Sequence, residues 1–346
     1  MFKKLAGEIF QMNGAKQIQK ILIIQTAFTG DVVLATALIE KIHRFYPNDQ
    51  IDFLLRKGNE GLFNGHPFLQ KVLIWDKKKD KLKNLWRLLK KIRSENYDKV
   101  ITLQRFASTG IITGFSGAKE RIGFDKNPFS FLFTKKIDHH FKKGIHEVER
   151  NNKLIEEFTD DTFNKPKLYP TQENELEIMP YAQTPFVCMM PASVWFTKQY
   201  PEEKWLDLID HFPEKYSIYL LGGNADVALC ESIKEKSINK KVEVLAGKLN
   251  FLSSAALMQL AKMNYSNDSA PLHFASATDA PITAIFCSTI PEFGFYPISE
   301  KSFIVQTDVK LDCKPCSLHG LKACPLGHFK CAYTIETEKL LHTITK

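Results

Sequence analysis

The chain has 346 residues, 44% of them hydrophobic and 25% charged, which suits a globular protein of two ordinary domains and excludes a disordered or fibrous chain. The formal net charge of +8 favours an anionic partner: a nucleotide, a phosphorylated glycolipid, a membrane surface or nucleic acid. No apolar run reaches the roughly 20 residues of a membrane span, and the cationic start lacks the apolar core of about 7–15 residues that a secretion signal needs, so a cytoplasmic location is expected.

Residues 1–20 suit a short basic amphipathic helix, with Leu5, Ile9 and Phe10 on one side, that docks on the domain or touches a membrane. Residues 21–25, ILIIQ, read as a buried parallel strand. A small-residue turn, Thr26 to Asp31, follows, and a helix begins near Asp31 or Val32. Such a turn offers unpaired N–H groups and partial positive charge to a ligand. Asp31 is then either a helix cap or a carboxylate at the carboxyl edge of the sheet, where ligands of open α/β folds bind. Further strands are expected at 51–55, 72–75 and 99–103, with a helix over 82–92 whose apolar spacing is Leu82, Leu85, Trp86, Leu89 and Ile92. Alternation on this scale implies βαβ units. Basic residues gather in the connections, and those beyond strand ends, such as Arg56 and Arg105, suit an acceptor's phosphates. His146-Glu147-Val148-Glu149-Arg150 opens a helix running to Phe158; it is either a surface ion-pair set or a site-lining turn. The polar, proline-dotted stretch 160–185 is the linker candidate.

A second α/β unit starts with the strand 186–190. It ends in a turn with Ser193 and Lys198, and a helix opens at Pro201 with Glu202 and Glu203 behind it. A hydroxyl and an ammonium there suit a diphosphate. Residues 217–221 form a strand closed by Gly222 and Gly223, either a plain turn or a place where a ligand meets backbone. Residues 242–245 form another strand with Glu243, and 252–263 a helix. Asp268 and Ser269 sit at a strand-to-helix turn, with His273 one turn on, either capping and core residues or ligand contacts. A last strand at 282–286 precedes a cysteine-rich stretch and a closing helix at 334–345, expected to cross back onto the first domain.

Four cysteines, Cys313, Cys316, Cys324 and Cys331, fall in the segment 313–331 with His319 and His328 between them. Four thiolates with one CxxC pair can hold a structural zinc, or remain free thiols; disulfides do not suit a reducing compartment. The segment's place before the closing helix suggests a bracing role. The basic residues are dispersed and no nucleic-acid module is present, so a nucleic-acid-binding protein is the weaker alternative.

The turn Thr29-Gly30-Asp31, the His-x-Val-Glu-Arg stretch at 146–150, the lysine before Tyr200-Pro201, the run from Asp268 through His273 to Ala277 and Cys324-Pro325-Leu326-Gly327-His328 together resemble the ADP-heptose:lipopolysaccharide heptosyltransferases, glycosyltransferase family 9. The resemblance covers nearly the whole chain. It implies an α/β fold of GT-B type: two Rossmann-like domains with parallel sheets facing a central cleft. The acceptor domain would span 1–172, with 334–346 packed back on it, and the nucleotide-sugar domain 173–333. It implies inverting transfer of a heptose or related sugar from an ADP-sugar to a phosphorylated lipopolysaccharide core or lipid A acceptor, at the cytoplasmic face of the inner membrane. Asp31 would be the general base. Ser193, Lys198, Gly222, Glu243, Asp268, Ser269 and His273 would bind the donor, and Thr29, Gly30, Arg56, Arg105, His146 and Arg150 would lie toward the acceptor. No Asp-x-Asp metal motif is present, so no cofactor is expected for catalysis. Val194 and Ala270 stand where the family has a second hydroxyl and a glycine, which leaves a catalytically inactive or differently specific member as the alternative.

Overall fold

A computed structural model describes residues 18–78, 80–139 and 143–345; most of the expected N-terminal helix lies outside them. The first unit contains β1 (Lys20–Ile24), α1 (Thr29–Phe45), β2 (Gln50–Arg56), β3 (Leu69–Trp75), α2 (Lys81–Ser94), β4 (Lys99–Thr102), α3 (Ala107–Gly114), β5 (Glu120–Phe124), β6 (Lys135–Ile137) and α4 (Glu147–Asn152). After α5 (Gln172–Ile178), the second contains β7 (Phe186–Met190), α6 (Glu202–Asp210), β8 (Ser217–Leu220), α7 (Val227–Lys236), β9 (Val242–Val244), α8 (Phe251–Leu260), β10 (Asn264–Asn267), α9 (Ala270–Thr278), β11 (Ile282–Phe286), β12 (Ser302–Gln306), α10 (Lys330–Tyr333) and α11 (Thr337–Leu341).

Each unit builds one six-stranded sheet, ordered β3-β2-β1-β4-β5-β6 and β12-β11-β10-β7-β8-β9, and neighbouring strands pair in parallel. Both orders are the doubly wound Rossmann arrangement, which reverses direction between β1 and β4 and again between β7 and β10. Ligands bind in the crevice at such switch points. The expected two-sheet α/β architecture is therefore present. The strands read from sequence include those buried on both faces, such as β1 with Ile21 to Ile24 at 0% exposure, and the half-exposed edge strands β3 and β9. β5, β6 and β12 were not anticipated; the first two are short and carry Glu120, Arg121, Lys135 and Lys136.

The units share one apolar core. α1 buries Val33 and Ile39 against Phe274 and Ala275 of α9 in a single cluster that also takes in Ile21 and Phe186. The buried Lys41 donates to the carbonyls of Asp160 and Thr162, both at 2.7 Å, and pairs with the Asp160 carboxylate at 2.9 Å, which pins the crossing segment to α1. That segment is not a bare linker. Thr171 caps α5, and Asn174 of α5 donates to Ser253 of α8 at 2.9 Å.

Two expectations fail. The closing helix does not return to the first unit. Leu340 and Ile344 bury beside Trp205 and Leu208 of α6, Thr337 hydrogen-bonds Asp207, 130 residues earlier in the chain, and Thr343 bonds Thr283 at 2.7 Å; its apolar face is used up within the second unit and leaves none for a crossing. Of the apolar stripe in α2, Leu85, Leu88, Leu89 and Ile92 are buried, while Leu82 and Trp86 are 70% and 64% exposed, because four positions spaced over two turns already cover the sheet.

Candidate active site at two switch points

Asp31 follows β1 and Arg105 follows β4; Ser193 and Lys198 follow β7, and Asp268 follows β10. Each pair flanks a switch point, so the two crevices face one another with their own side chains. α1 begins at Thr29, two residues earlier than the sequence suggested, and Phe28 is its N-cap with no side-chain cap bond. Asp31 is thus inside the first turn and is not a cap. Burial, and then the nearby Glu147 carboxylate, push its carboxyl up to about 6, against backbone N–H groups of Phe28 and Asp31 and the charge of Lys198. A carboxylate of that affinity takes a proton near neutrality.

Lys198 lies across from it. Its ammonium pairs with Asp268 at 2.8 Å, both side chains largely buried, and Thr289 donates to the same Asp268 oxygen at 2.6 Å. Asn267 ties the two strand ends together: it accepts from the Tyr200 N–H at 2.9 Å and donates to the Pro191 carbonyl at 2.8 Å. Ser193 is half-buried on this turn, its carbonyl accepting from Gln199 at 2.6 Å. Ser269 is the N-cap of α9 without a capping bond of its own side chain.

His273, on α9, touches the first unit. Its Cδ2 lies where a Cβ on Gly30 would approach to 2.7 Å. Burial drives its imidazole down to about 3, so it is neutral, and its Nδ1 has no hydrogen-bond partner among the described residues. Gly222 ends β8 beneath Asp226, which would lie 2.7 Å from an added Cβ. Glu243 is exposed on β9, at the sheet's outer edge beyond β8.

On the first unit, Thr29 donates to Asn59 at 2.9 Å, and Arg56 stacks 4.8 Å over the Phe28 ring. Arg105 is exposed into the cleft. His146 is not an acceptor-facing side chain as expected, whereas Arg150 lines the cavity beside α4 while its guanidinium is held by several partners. His146 is fully buried; its Nδ1 accepts from the Val148 N–H and its Nε2 contacts the Tyr296 carbonyl at 3.0 Å. Arg150 is committed to Glu147 at 2.7 Å and to the carbonyls of Ile145 and Phe293. They brace the 290–295 loop against α4. A cavity of about 560 Å³ opens beside α4, lined among others by Phe124, Ile137, Lys135, His139 and Lys153.

Three residues were missed. Glu147 is read from sequence only as part of a charged turn, yet it is the carboxylate that raises Asp31. His319 and Gly320 of the cysteine-rich segment reach the donor side. The segment is stitched to the lysine turn: Thr197 N–H donates to Leu321 at 3.1 Å, Leu321 N–H to Thr197 Oγ1 at 2.8 Å, and Cys316 N–H to Ser288 at 3.2 Å. Gly320, with φ +86°, packs where a Cβ would stand 2.8 Å from Lys198 Cγ. Burial, and then the charges of Lys198 and Arg105, lower the His319 imidazole, and Asp268 opposes them. Only long-range packing brings these groups here, so no local signal marks them.

The cysteines are gathered but not converged. The thiols of Cys316 and Cys331 are raised by burial and by one another's neighbourhood, Cys313 lies 3.9 Å from His328, and Cys331 is buried. Among the described residues no three such side chains form a ready metal ligand set.

Comparison with known proteins agrees with this fold. The family model described as glycosyltransferase family 9 (heptosyltransferase) matches residues 85–323. A lipopolysaccharide heptosyltransferase 3 of Escherichia coli is 26% identical over 278 residues, 76% of this chain and 82% of that protein. Among solved structures, a family 9 glycosyl transferase from Veillonella parvula superposes with a TM-score of 0.80 at 18% identity, covering 94% of this chain and 96% of that one. An Escherichia coli heptosyltransferase with ADP gives 0.74 at 19%, covering 94% and 99%.

Proposed function

The chain belongs to glycosyltransferase family 9, and from that premise we propose that it moves a heptose from an ADP-sugar to a lipopolysaccharide core acceptor with inversion. The observation that carries the reading is Asp31, with its raised affinity for protons, opposite the Lys198–Asp268 pair. The acceptor hydroxyl attacks the anomeric carbon, its proton passes to Asp31, and the bond to the diphosphate breaks to release ADP. Lys198 and the N–H groups opening α9 offset the charge that gathers on the departing diphosphate. The unpaired Nδ1 of His273 and the hydroxyls of Ser193 and Ser269 are further donor contacts. Glu243 lies two strands from β7, about 10 Å at ordinary strand spacing, which suits the ribose of a nucleotide whose phosphates meet Lys198. The ADP held by the Escherichia coli relative supports that donor. The acceptor enters past Arg56 and Arg105 and along the cavity beside α4. We assign no metal to the reaction, since Lys198, Arg105 and helix ends supply the positive charge. The work is placed at the cytoplasmic face of the inner membrane; no described helix is long and apolar enough to cross a bilayer.

The test is transfer by the purified protein, in excess EDTA, from ADP-heptose to a heptose-deficient core glycolipid. The expected result is one added heptose by mass spectrometry; no gain with this donor, or turnover that needs added magnesium, overturns the reading. The pH profile is a second check. Asp31 must be deprotonated, so kcat/KM should be flat above pH 7 and fall about tenfold per unit below pH 6. A profile flat down to pH 5 removes Asp31 from the base role.

A further inference from the structure

The helix α2 carries more apolar and basic surface than its fold requires. Its inner face is complete with Leu85, Leu88 and Ile92. Outside that face, Leu82 and Trp86 are 70% and 64% exposed, and Phe115, which follows α3, is 47% exposed beside them. Trp86, Leu89 and Phe115, with the stems of Lys90 and Arg93, form a shallow apolar groove of about 300 Å³. The helix sequence KLKNLWRLLKKIRS holds six basic residues and no acidic one. Lys83 and Lys90 stand one turn either side of Trp86, on the same stripe. Among the described residues, none of Lys83, Arg87, Lys90, Lys91 and Arg93 has a carboxylate partner: Arg87 donates to Asn84 at 2.8 Å and Arg93 to the Phe115 carbonyl at 3.1 Å.

We infer that this face of α2 docks on an anionic phospholipid bilayer. An indole and leucines flanked by unpaired cations match the interfacial zone, where the ring sits at headgroup depth and the ammonium groups meet lipid phosphates. The charge also argues against a second copy of the chain, because two such faces would set cations against cations. The placement is useful. α2 follows β3, so it begins at the carboxyl edge of the sheet on which Asp31 stands, and the domain that receives the acceptor is the one held to the lipid. The inference extends the proposed function, which supplies the reason for a lipid-borne acceptor, but binding to bilayers is read without turnover, so the two can fail separately.

The full chain, without donor or acceptor, is sedimented with vesicles of phosphatidylcholine alone or with about 30% phosphatidylglycerol. Binding should be at least about tenfold tighter to the anionic vesicles and should weaken steeply with salt. Leu82→Ser with Trp86→Ser, and separately Lys83→Glu with Lys90→Glu, should each weaken it by about tenfold or more. Their thermal midpoints should match the parent, because these side chains lie outside the core. The blue shift of tryptophan emission on anionic vesicles should vanish with Trp86→Ser. Unchanged binding in both double variants would assign attachment to another part of the chain and overturn the inference. So would absence of binding to either vesicle, or a dimer that Trp86→Ser dissociates.

Discussion

Asp31→Asn is expected to lower kcat by about a thousandfold, the middle of the range for a positioned general base, and to leave the dissociation constant for ADP within about twofold of the parent, the scale left when no nucleotide contact is lost. The same change should raise thermal stability at pH 7 to 8. A carboxyl whose folded-state affinity for protons is raised to about 6 from the ordinary value of 3.8 destabilises the fold once it ionises. That cost is absent below the unfolded value, grows through the interval between the two, and is complete above pH 6. Asparagine removes it along with the repulsion from Glu147. The gain in midpoint should therefore disappear when melting is repeated at pH 4. Calorimetry, kinetics and melting on one preparation check all three statements. A variant that is inactive and also less stable at pH 8 would mean that Asp31 holds the turn together.

Lys198→Ala should weaken ADP binding by roughly 1.5–3 kcal/mol, the scale of a hydrogen bond to a charged group, or about tenfold to two-hundredfold in dissociation constant. Its ammonium already lies 2.8 Å from Asp268, so the site pays for orienting the lysine before nucleotide arrives. Removing it strands a buried carboxylate that then has Thr289 as its remaining described partner, and the variant should melt lower than the parent. Lys198→Arg separates the two effects. It keeps the charge for Asp268, but a guanidinium fork is larger than the space left by Gly320, whose backbone lies against the lysine stem. Recovered stability with weak ADP binding is the expected outcome. Unchanged ADP affinity in both variants would place the diphosphate elsewhere.

Much of the fold was legible because parallel strands buried on both faces read as unbroken apolar runs. Ile21 to Ile24 and Phe186 to Met190 show it well, each followed by a turn of small residues. The same logic located Asp31 and Ser193, in the turns after such strands, whereas Asp268 follows the polar strand NYSN and was reached through the resemblance of its turn. It failed for β5, whose first residues are charged, and for the edge strands β6 and β12, whose residues are mostly only partly buried. It failed also where a side chain's neighbours come from far along the chain. His146 and Arg150 look like ligand groups in a charged turn, but their own turn and the distant carbonyls of Tyr296 and Phe293 hold their polar atoms. Glu147, in the same turn, faces Asp31. The closing helix has the right apolar spacing, but spacing does not say which groove receives it.

At two places the units meet through a glycine, where no side chain intervenes. Gly30 lies against the His273 ring, and Gly294, with φ +88°, lies where a Cβ would come within 2.1 Å of the Ile145 carbonyl. A main chain cannot change rotamer, so these two seams behave as fixed shims that set the gap between the sheets. One methyl group at either would act like a washer under a hinge plate, tilting one sheet against the other by an amount that grows with distance from the seam. The gauge of the cleft is thus written at two backbone positions, and variation there would retune reach between the halves with every reacting side chain left intact.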